Sequence, residues 1–180
     1  MYVKADDTGI FRPTTNNAVI LGSSGYRWKE MWCTQSSINS SSDERRKDGI
    51  VPVPDDVLDA WEDVDFRQFK FRDAMEEKGA GARIHSGLIA QHVERAFRKH
   101  GLDASRYGFF LHDEWDAEPE ECDESGTVVR KAVSAGDAYG LRYVECLCIE
   151  AAYMRRENAR LRKRVADLEE RLAALELKIA

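Results

Sequence analysis

The sequence predicts an α+β protein with a short β segment, a mixed α/β region and one long C-terminal helix that joins a parallel coiled coil. Residues 1–41 are rich in Gly, Ser and Asn and hold only short apolar runs. Residues 48–140 mix strand and helix periodicities, and from residue 144 apolar residues recur at alternating steps of three and four. We therefore divide the chain into residues 1–42, 43–140 and 141–180.

Composition narrows the class of protein. The 180 residues carry a net charge of −6, so the chain lacks the basic excess that favours nucleic acid as a partner. No apolar run reaches the length of a membrane span, and the N-terminus lacks the apolar centre of a signal peptide. The four cysteines lack metal-ligand spacing, which predicts free thiols in a reducing compartment and no metal or other cofactor. We expect Cys146 and Cys148 to pack within a helix.

The first segment should consist of short strands and turns. The predicted pieces are an extended run at 8–13, a turn at 16–17, a strand at 18–21, a turn at 22–25, and a half-buried strand or single helical turn at 26–32. The segment has few large apolar residues and could hardly build a core alone. It fits either a fibre end whose chains share a core or an ordinary N-terminal β-subdomain.

The middle region mixes both kinds of element. A helix should open at Pro54 with Val57, Leu58, Trp61 and Val64 on one side. We further predict a strand at 66–71, a loop at 76–81, a strand or turn at 84–90, a helix at 88–100 ended by Gly101, and a hairpin turn at 123–127. His92 and His100 should lie at the surface. The acidic run 113–124 lacks the ligand spacing of a calcium loop and should be solvated.

The tail has the most regular pattern of the chain. Its predicted heptad a and d positions are Val144, Leu147, Ala151, Met154, Asn158, Leu161, Val165, Leu168, Leu172, Leu175 and Ile179. The g-to-e′ pairs of a parallel arrangement are opposite in charge: Glu157–Arg162, Arg164–Glu169 and Arg171–Glu176. The pattern favours a parallel coiled coil of two or three chains, with Asn158 fixing the register. The alternative is a single amphipathic helix packed on its own domain.

One stretch, residues 40–47, brings together a possible nucleophile and a possible base. A serine hydroxyl is a weak nucleophile until a base takes its proton, and a lysine can be that base when burial favours its neutral form. Arg46 cannot act in this way, because a guanidinium keeps its proton in proteins. Ser42 and Lys47 are five residues apart, which places them roughly 140° apart around a helix or on opposite faces of a strand. A working pair therefore needs a bend between them.

The same stretch also has an ordinary structural interpretation. Ser41 and Glu44 fit the capping-box pattern that starts a helix, and Asp43 and Lys47 form an i, i+4 pair of opposite charge. The neighbouring serines also leave the nucleophile ambiguous. Spacing alone favours a cap or a solvated loop and leaves the catalytic interpretation open.

Several motifs in one order point to a family. They are Gly-Ile-Phe-Arg-Pro-Thr at 9–14, Leu-Gly-Ser-Ser-Gly-Tyr-Arg-Trp-Lys at 21–29, Ser-Asp-x-Arg-x-Lys at 42–47, Gly-Leu-Ile-Ala-Gln at 87–91, and Tyr-Gly-Leu-Arg-Tyr at 139–143. Together they resemble the intramolecular chaperone auto-processing domain at the C-terminus of bacteriophage tail fibres, tailspikes and endosialidases. The resemblance covers nearly the whole chain.

The resemblance implies a homotrimer whose chaperone part folds the upstream fibre or tailspike region of the same chain and then cuts itself off. Ser42 would be the nucleophile, Lys47 the general base, and Asp43 and Arg45 supporting residues. The cut would fall between Ser42 and Asp43, during assembly in the host bacterial cytoplasm. Residues 1–42 would stay on the virion tail and residues 43–180 would leave.

Two other functions fit parts of the sequence. The first is a trimerisation and capping module that never cuts, and the second is a receptor-binding tip. A tip requires exposed aromatic residues, for which Tyr26, Trp28 and Trp32 are the candidates, although their alternation favours a strand core. The chain also departs from the family at His92, where an acidic residue often follows the Ile-Ala-Gln segment. If that position supports the cleavage site, its change would slow the cut.

Overall fold

The computed structural model describes residues 3–5, 11–34, 38 and 40–179. The chain forms two compact units: residues 1–41 with 113–138, and residues 42–112 with 139–180. The architecture is mixed α/β, with small two-stranded sheets and a long C-terminal helix. The sequence-based division at 42 and 140 stays a prediction about the processed protein. No helix in the described part of the chain is long and apolar enough to cross a membrane.

Three helices enclose the core of the second unit. They are α1 (Asp55–Glu62), α3 (Ala90–Lys99) and the first turns of α4 (Tyr143–Ile179), and α1 contacts both of the others. The predicted apolar face of α1 is confirmed, since Val57, Leu58 and Trp61 are buried. Trp61 and Phe97 meet edge-on, with ring centroids 6.4 Å apart. Burial of such large aromatic side chains contributes strongly to the stability of this core.

A short hairpin and an unexpected helix lie between α1 and α3. Strands β3 (Arg67–Phe69) and β4 (His85–Gly87) pair antiparallel, with Phe69 opposite His85. The predicted strand at 66–71 is therefore shorter than expected. The predicted loop at 76–81 is wrong in its first half, because α2 spans Arg72–Lys78 and a 3₁₀ turn follows at Gly79–Gly81. The run Met-Glu-Glu-Lys consists of good helix formers, but it has no apolar face whose periodicity would predict a helix.

The end of α3 follows the sequence prediction. Gly101 has φ +74°, a left-handed conformation that glycine adopts without steric cost. The Gly101 amide donates to the Arg98 carbonyl at 3.0 Å, and the Leu102 amide donates to the Phe97 carbonyl at 2.9 Å. This pair of bonds is the Schellman motif, which closes a helix and satisfies its last carbonyls.

Helix α4 uses two different faces. Its 37 residues confirm the predicted long helix. The face that packs on its own unit is formed by side chains outside the predicted seam: Cys146, Ile149, Glu150, Tyr153, Arg156 and Glu157. The predicted a and d side chains from Val144 to Leu175 remain exposed, as Leu161 (57%) and Leu168 (50%) illustrate. The helix is therefore docked on its own domain by the c, f and g positions, while the a/d seam is left uncovered. Cys146 is buried as expected, whereas Cys148 is exposed, which corrects the prediction for that residue.

In the first unit, β1 (Val3–Ala5) pairs antiparallel with β2 (Phe11–Pro13), and a turn follows with Asn17 at φ +55°. The front of the predicted extended run, residues 8–10, lies outside the described residues. The predicted turn at 22–25 is confirmed by reciprocal backbone hydrogen bonds between Ser23 and Tyr26. The predicted strands at 18–21 and 26–32 are wrong, because both stretches are irregular. Trp32 is 88% exposed, so the expected strand core is absent there.

The rest of the first unit comes from residues 113–138. Strand β5 (Phe110–Trp115) pairs with β8 (Gly136–Leu141), and β6 (Glu121–Cys122) pairs antiparallel with β7 (Val128–Arg130). The predicted turn at 123–127 closes this second hairpin, with Gly126 at φ +82°. Two of these strands, β5 and β6, take residues from the acidic run.

The acidic run is therefore not a simple solvated loop, which corrects that prediction. Glu118 pairs with Arg130 at 3.0 Å and accepts a hydrogen bond from the Tyr26 hydroxyl at 2.8 Å. This hydrogen bond and the nearby carboxylate raise the pKa of Tyr26. Glu121 also pairs with Arg130, at 3.3 Å. Glu118 and Glu121 thus serve as partners for one arginine and one tyrosine.

Candidate functional site

Residues 42–47 form one tight turn. A 3₁₀ turn spans Glu44–Arg46, and Asp43 caps it by accepting the Arg45 amide at 3.0 Å. The chain returns to an extended conformation at Lys47, whose amide donates to the Glu44 carbonyl at 2.9 Å. The sequence correctly predicts a short helical start here, but the capping residue is Asp43 and not Ser41.

This turn brings the predicted nucleophile and base together. The Lys47 amine Nζ donates to the Ser42 hydroxyl Oγ at 2.8 Å. The two side chains meet because a single 3₁₀ turn lies between them, flanked on each side by an extended residue. This turn supplies the bend that the five-residue spacing requires. The predicted i, i+4 pairing of Asp43 with Lys47 is wrong, since Lys47 binds the serine instead.

Asp43 and Arg45 form a second pair within the turn. Arg45 Nε donates to both carboxylate oxygens of Asp43, at 3.0 and 3.1 Å, and Nη2 donates at 2.5 Å. The Arg45 side chain lowers the pKa of Asp43, and the Arg45 amide adds to the effect. The carboxylate raises the pKa of Arg45 in turn. Arg45 is exposed and Asp43 is half-buried, so we assign the pair the role of fixing the turn and no large share of stability.

The chemistry available to this arrangement depends on solvent. Ser42 and Lys47 are both exposed, and Asp43 is half-buried. A hydroxyl that accepts a hydrogen bond from an amine at 2.8 Å is placed to give that amine its proton once the amine is neutral. Because both side chains are exposed, the contact is present without the burial that a reacting Ser-Lys pair requires.

Two hydrogen bonds between the motifs at 87–91 and 139–143 were not predicted from the sequence. The Tyr143 hydroxyl donates to the Leu88 carbonyl at 3.2 Å and accepts from the Leu88 amide at 3.1 Å. It therefore joins the motif at 87–91 to the motif at 139–143. The only signal in the sequence is the presence of Gly87, which leaves room for the tyrosine at the position before Leu88.

His100, directly after α3, also has a partner that sequence patterns did not indicate. His100 Nε2 lies 2.6 Å from Asp63, which also accepts from Lys99 at 2.8 Å. These two contacts lower the pKa of Asp63. His92 is half-buried and borders an open polar pocket with Arg95. No contact of His92 with residues 42–47 occurs in the described structure.

Comparison with known proteins places this chain in a family. Residues 42–102 match the family model Peptidase_S74, described as the chaperone of endosialidase, so the match begins at Ser42. A solved structure described as an intramolecular chaperone is 49% identical, with a TM-score of 0.59, and the alignment covers 66% of this chain and 99% of that one. The chain belongs to this family. It is an intramolecular chaperone domain of the kind found in phage tail fibres and tailspikes.

Curated relatives of this chaperone are much longer proteins. The tail spike protein of Escherichia virus K5 is 44% identical over 84% of this chain and 24% of its own length. The capsule K3-specific depolymerase of Klebsiella phage KP32 is 34% identical over 81% of this chain and 14% of its own length. The chaperone thus spans about a quarter or less of these relatives.

The fold has a second solved counterpart. The carboxy-terminal domain of the bacteriophage T5 L-shaped tail fibre, with its intramolecular chaperone domain, aligns with a TM-score of 0.72 over 91% of this chain and 40% of that one. Its identity is 23%, so this likeness supports the fold alone. The family name classes its members with peptidases.

Proposed function

We propose that this chaperone assembles the upstream tail fibre or tailspike region of its own chain as a homotrimer and then releases itself by cutting next to Ser42. The observation that carries the proposal is the 2.8 Å contact between Lys47 Nζ and Ser42 Oγ. Lys47 takes the hydroxyl proton, and the oxygen attacks the carbonyl carbon of the scissile peptide bond. The amide nitrogen leaves with a proton, and water hydrolyses the resulting ester.

The position of the bond constrains how the attack is made. If Ser42 Oγ attacked the carbonyl of Ser42 itself, a four-membered ring would form. A cut between Ser42 and Asp43 is therefore best served by attack from a neighbouring copy in the trimer. Attack on the Ser41 carbonyl within one chain closes an easier five-membered ring and cuts between Ser41 and Ser42. The expected cut is after Ser42, as the family resemblance implies. The masses of the fragments distinguish a cut after Ser42 from a cut after Ser41.

Assembly supplies the step that the single chain lacks. The a/d side chains of α4 are exposed from Val144 to Leu175, and they match the pattern of a parallel coiled coil. A coiled coil of three α4 helices holds three copies at high local concentration. Packing of the three copies against one another withdraws Lys47 from water. Cleavage then waits for correct assembly. Residues 1–42 remain on the virion tail, and residues 43–180 are released in the host cytoplasm where the virion is built.

The dyad is tested by denaturing gels of freshly expressed protein. Ser42→Ala and Lys47→Ala should each leave the chain whole, because one removes the nucleophile and the other removes the base. Ser41→Ala and Arg46→Ala are matched controls that change a neighbouring serine and a neighbouring cation, and both should still cut. Cutting by the Ser42→Ala or Lys47→Ala protein would refute the dyad. A folded trimer that never cuts would favour the alternative function, a trimerisation and capping module.

Assembly control is tested separately at the seam. The triple variant Leu161→Glu, Leu168→Glu and Leu175→Glu places like charges where the three chains meet. It should become monomeric and stop cutting. The double variant Lys163→Ala and Glu170→Ala, at two exposed f positions of the same helix, provides the control for helix content. A monomeric seam variant that cut at the full rate would contradict assembly control while leaving the dyad intact.

A further inference from the structure

Arg156 is an almost buried cation on the face of α4 opposite the seam. In the heptad pattern it occupies an f position, whereas the seam uses a and d. Its side chain is 11% exposed and pairs with Asp59 at 2.7 Å and with Asp55 at 3.3 Å. It also donates to the main-chain carbonyl of Asp55 at 3.0 Å. A seam partner cannot cover this residue, so its contacts serve the fold of its own chain.

The contacts of Arg156 hold the first residue of α1. The capping residue of that helix is Pro54, which provides no side-chain hydrogen bond to the helix start. The cation beside Asp55 and Asp59 therefore fixes the start of α1 from outside the helix. An arginine can do this because its planar head donates in several directions at once.

The start of α1 in turn positions the segment that leads to Lys47. Residues 48–54 connect Lys47 to Asp55 and have no regular structure. Val51 is 72% exposed, and the segment borders an open groove of about 380 Å³ that Cys148 and Ile149 of α4 also line. Residues 48–54 make few packing contacts, so their path depends on the residues at either end. The residue at the C-terminal end is Asp55, which Arg156 contacts.

We propose that Arg156 is a positioning residue for self-cleavage. It connects the segment that follows Lys47 to α4, the helix that forms the coiled coil of the three chains. The inference rests on the proposed Ser42–Lys47 reaction. When the seam of α4 is fixed in the trimer, the f-position arginine fixes the start of α1 and with it the path of residues 48–54. Lys47 is then held against Ser42 in the geometry that the reaction needs.

The test uses Arg156→Ala, Arg156→Lys and the control Arg160→Ala in the full chain. Arg160 lies one turn further along α4, is exposed and contacts Glu157 at 2.9 Å. Two quantities are measured: the rate of cleavage after assembly, and amide hydrogen exchange of residues 44–58 in the uncut Ser42→Ala background. Oligomeric state and helix content are recorded for every variant.

Arg156→Ala should remain a trimer, cut about tenfold or more slowly and exchange faster across residues 44–58, since a small misplacement of a reacting group costs up to about 100-fold. Arg156→Lys should lie between Ala and the parent, because an ammonium keeps the charge but cannot serve the carbonyl and the carboxylate in one fixed fork. Millimolar guanidinium should restore part of the rate to Arg156→Ala. Arg160→Ala should match the parent in both measurements.

The inference is overturned if Arg156→Ala cuts and exchanges like Arg160→Ala. It is also overturned if Arg156→Ala loses the fold and Arg156→Lys, which folds, matches the parent in rate and exchange. If the parent itself never cuts, the Ser42–Lys47 proposal fails. The exchange data then still decide whether Arg156 holds the segment, so the two failures give different results.

Discussion

Replacing Gly87 with alanine should destabilise the chaperone through a single contact. A Cβ at residue 87 would lie 2.5 Å from the Tyr143 hydroxyl oxygen and 3.3 Å from its ring carbon Cζ. The oxygen is held in place by its two hydrogen bonds to Leu88. The new methyl group therefore displaces Tyr143, and the connection between the motifs at 87–91 and 139–143 is broken.

The expected cost follows from these contacts. Inserting a methyl group into a filled space costs about 1–3 kcal/mol. Losing the two hydrogen bonds of the Tyr143 hydroxyl costs a similar amount, since each is worth about 0.5–1.5 kcal/mol net. The two figures describe the same event and are not added. For a chain of this length the loss corresponds to a fall in Tm of about 3–9 °C.

The assay is thermal unfolding of the uncut Ser42→Ala protein, with a double-mutant cycle. Tyr143→Phe alone should cost about 1 kcal/mol, because it removes the hydroxyl and its hydrogen bonds. Gly87→Ala in that background should cost less than about 1 kcal/mol, since the closest atom has gone. The expected coupling between the two changes is about 1 kcal/mol or more.

Gly81→Ala is the matched control. A Cβ there meets no described atom within 4 Å, so the change should leave stability unaltered or raise it by about 0.4–1 kcal/mol. The reasoning is refuted if Gly87→Ala behaves like Gly81→Ala. It is also refuted if Gly87→Ala and Tyr143→Phe are additive, because the steric contact would then not be the cause.

Two further predictions concern titratable groups. Burial raises the pKa of Cys146 to about 11, so a thiol reagent at neutral pH should label the exposed cysteines quickly and Cys146 only on unfolding; equally fast labelling at four sites would contradict this. Lys99 and His100 lower the pKa of Asp63 from its usual value of 3.8. The contacts of the Asp63 carboxylate therefore stabilise the fold at pH values above 3.8, and this contribution disappears as the pH falls through the lowered pKa. In acid titrations of stability, the parent and Asp63→Asn should differ at pH 6 and converge at low pH, and a constant difference would contradict the assignment.

Local periodicity predicted those parts of the fold whose burial repeats along one helix. Helices α1, α3 and α4 have apolar residues at helical spacing, and their ends carry their own signals, such as Gly101. The alternation at 26–32 was misleading, since Trp28 and Trp32 are largely exposed and the stretch is irregular. Pattern alone cannot say which face of a short segment will find a partner, because that depends on residues distant in sequence.

The candidate site shows the same limit. Residue types made Ser42 and Lys47 candidates and the family resemblance predicted them as the reacting pair, but their spacing argued against contact in either regular structure. A 3₁₀ turn capped by Asp43 removes the conflict, and no periodicity predicts a turn of three residues. The long-range contacts of Tyr143 and Arg156 were beyond sequence reasoning, since each joins residues more than fifty positions apart.

The most direct test of the central claim is the intact mass of freshly purified, unmutated protein whose trimeric state is established in the same sample. The account predicts two fragments, of 42 and 180 − 42 = 138 residues, from a cut after Ser42. Fragments of 41 and 139 residues would keep the self-cleavage and move the attack to the Ser41 carbonyl. A trimer that persists as one undivided 20.5 kDa chain would contradict the account.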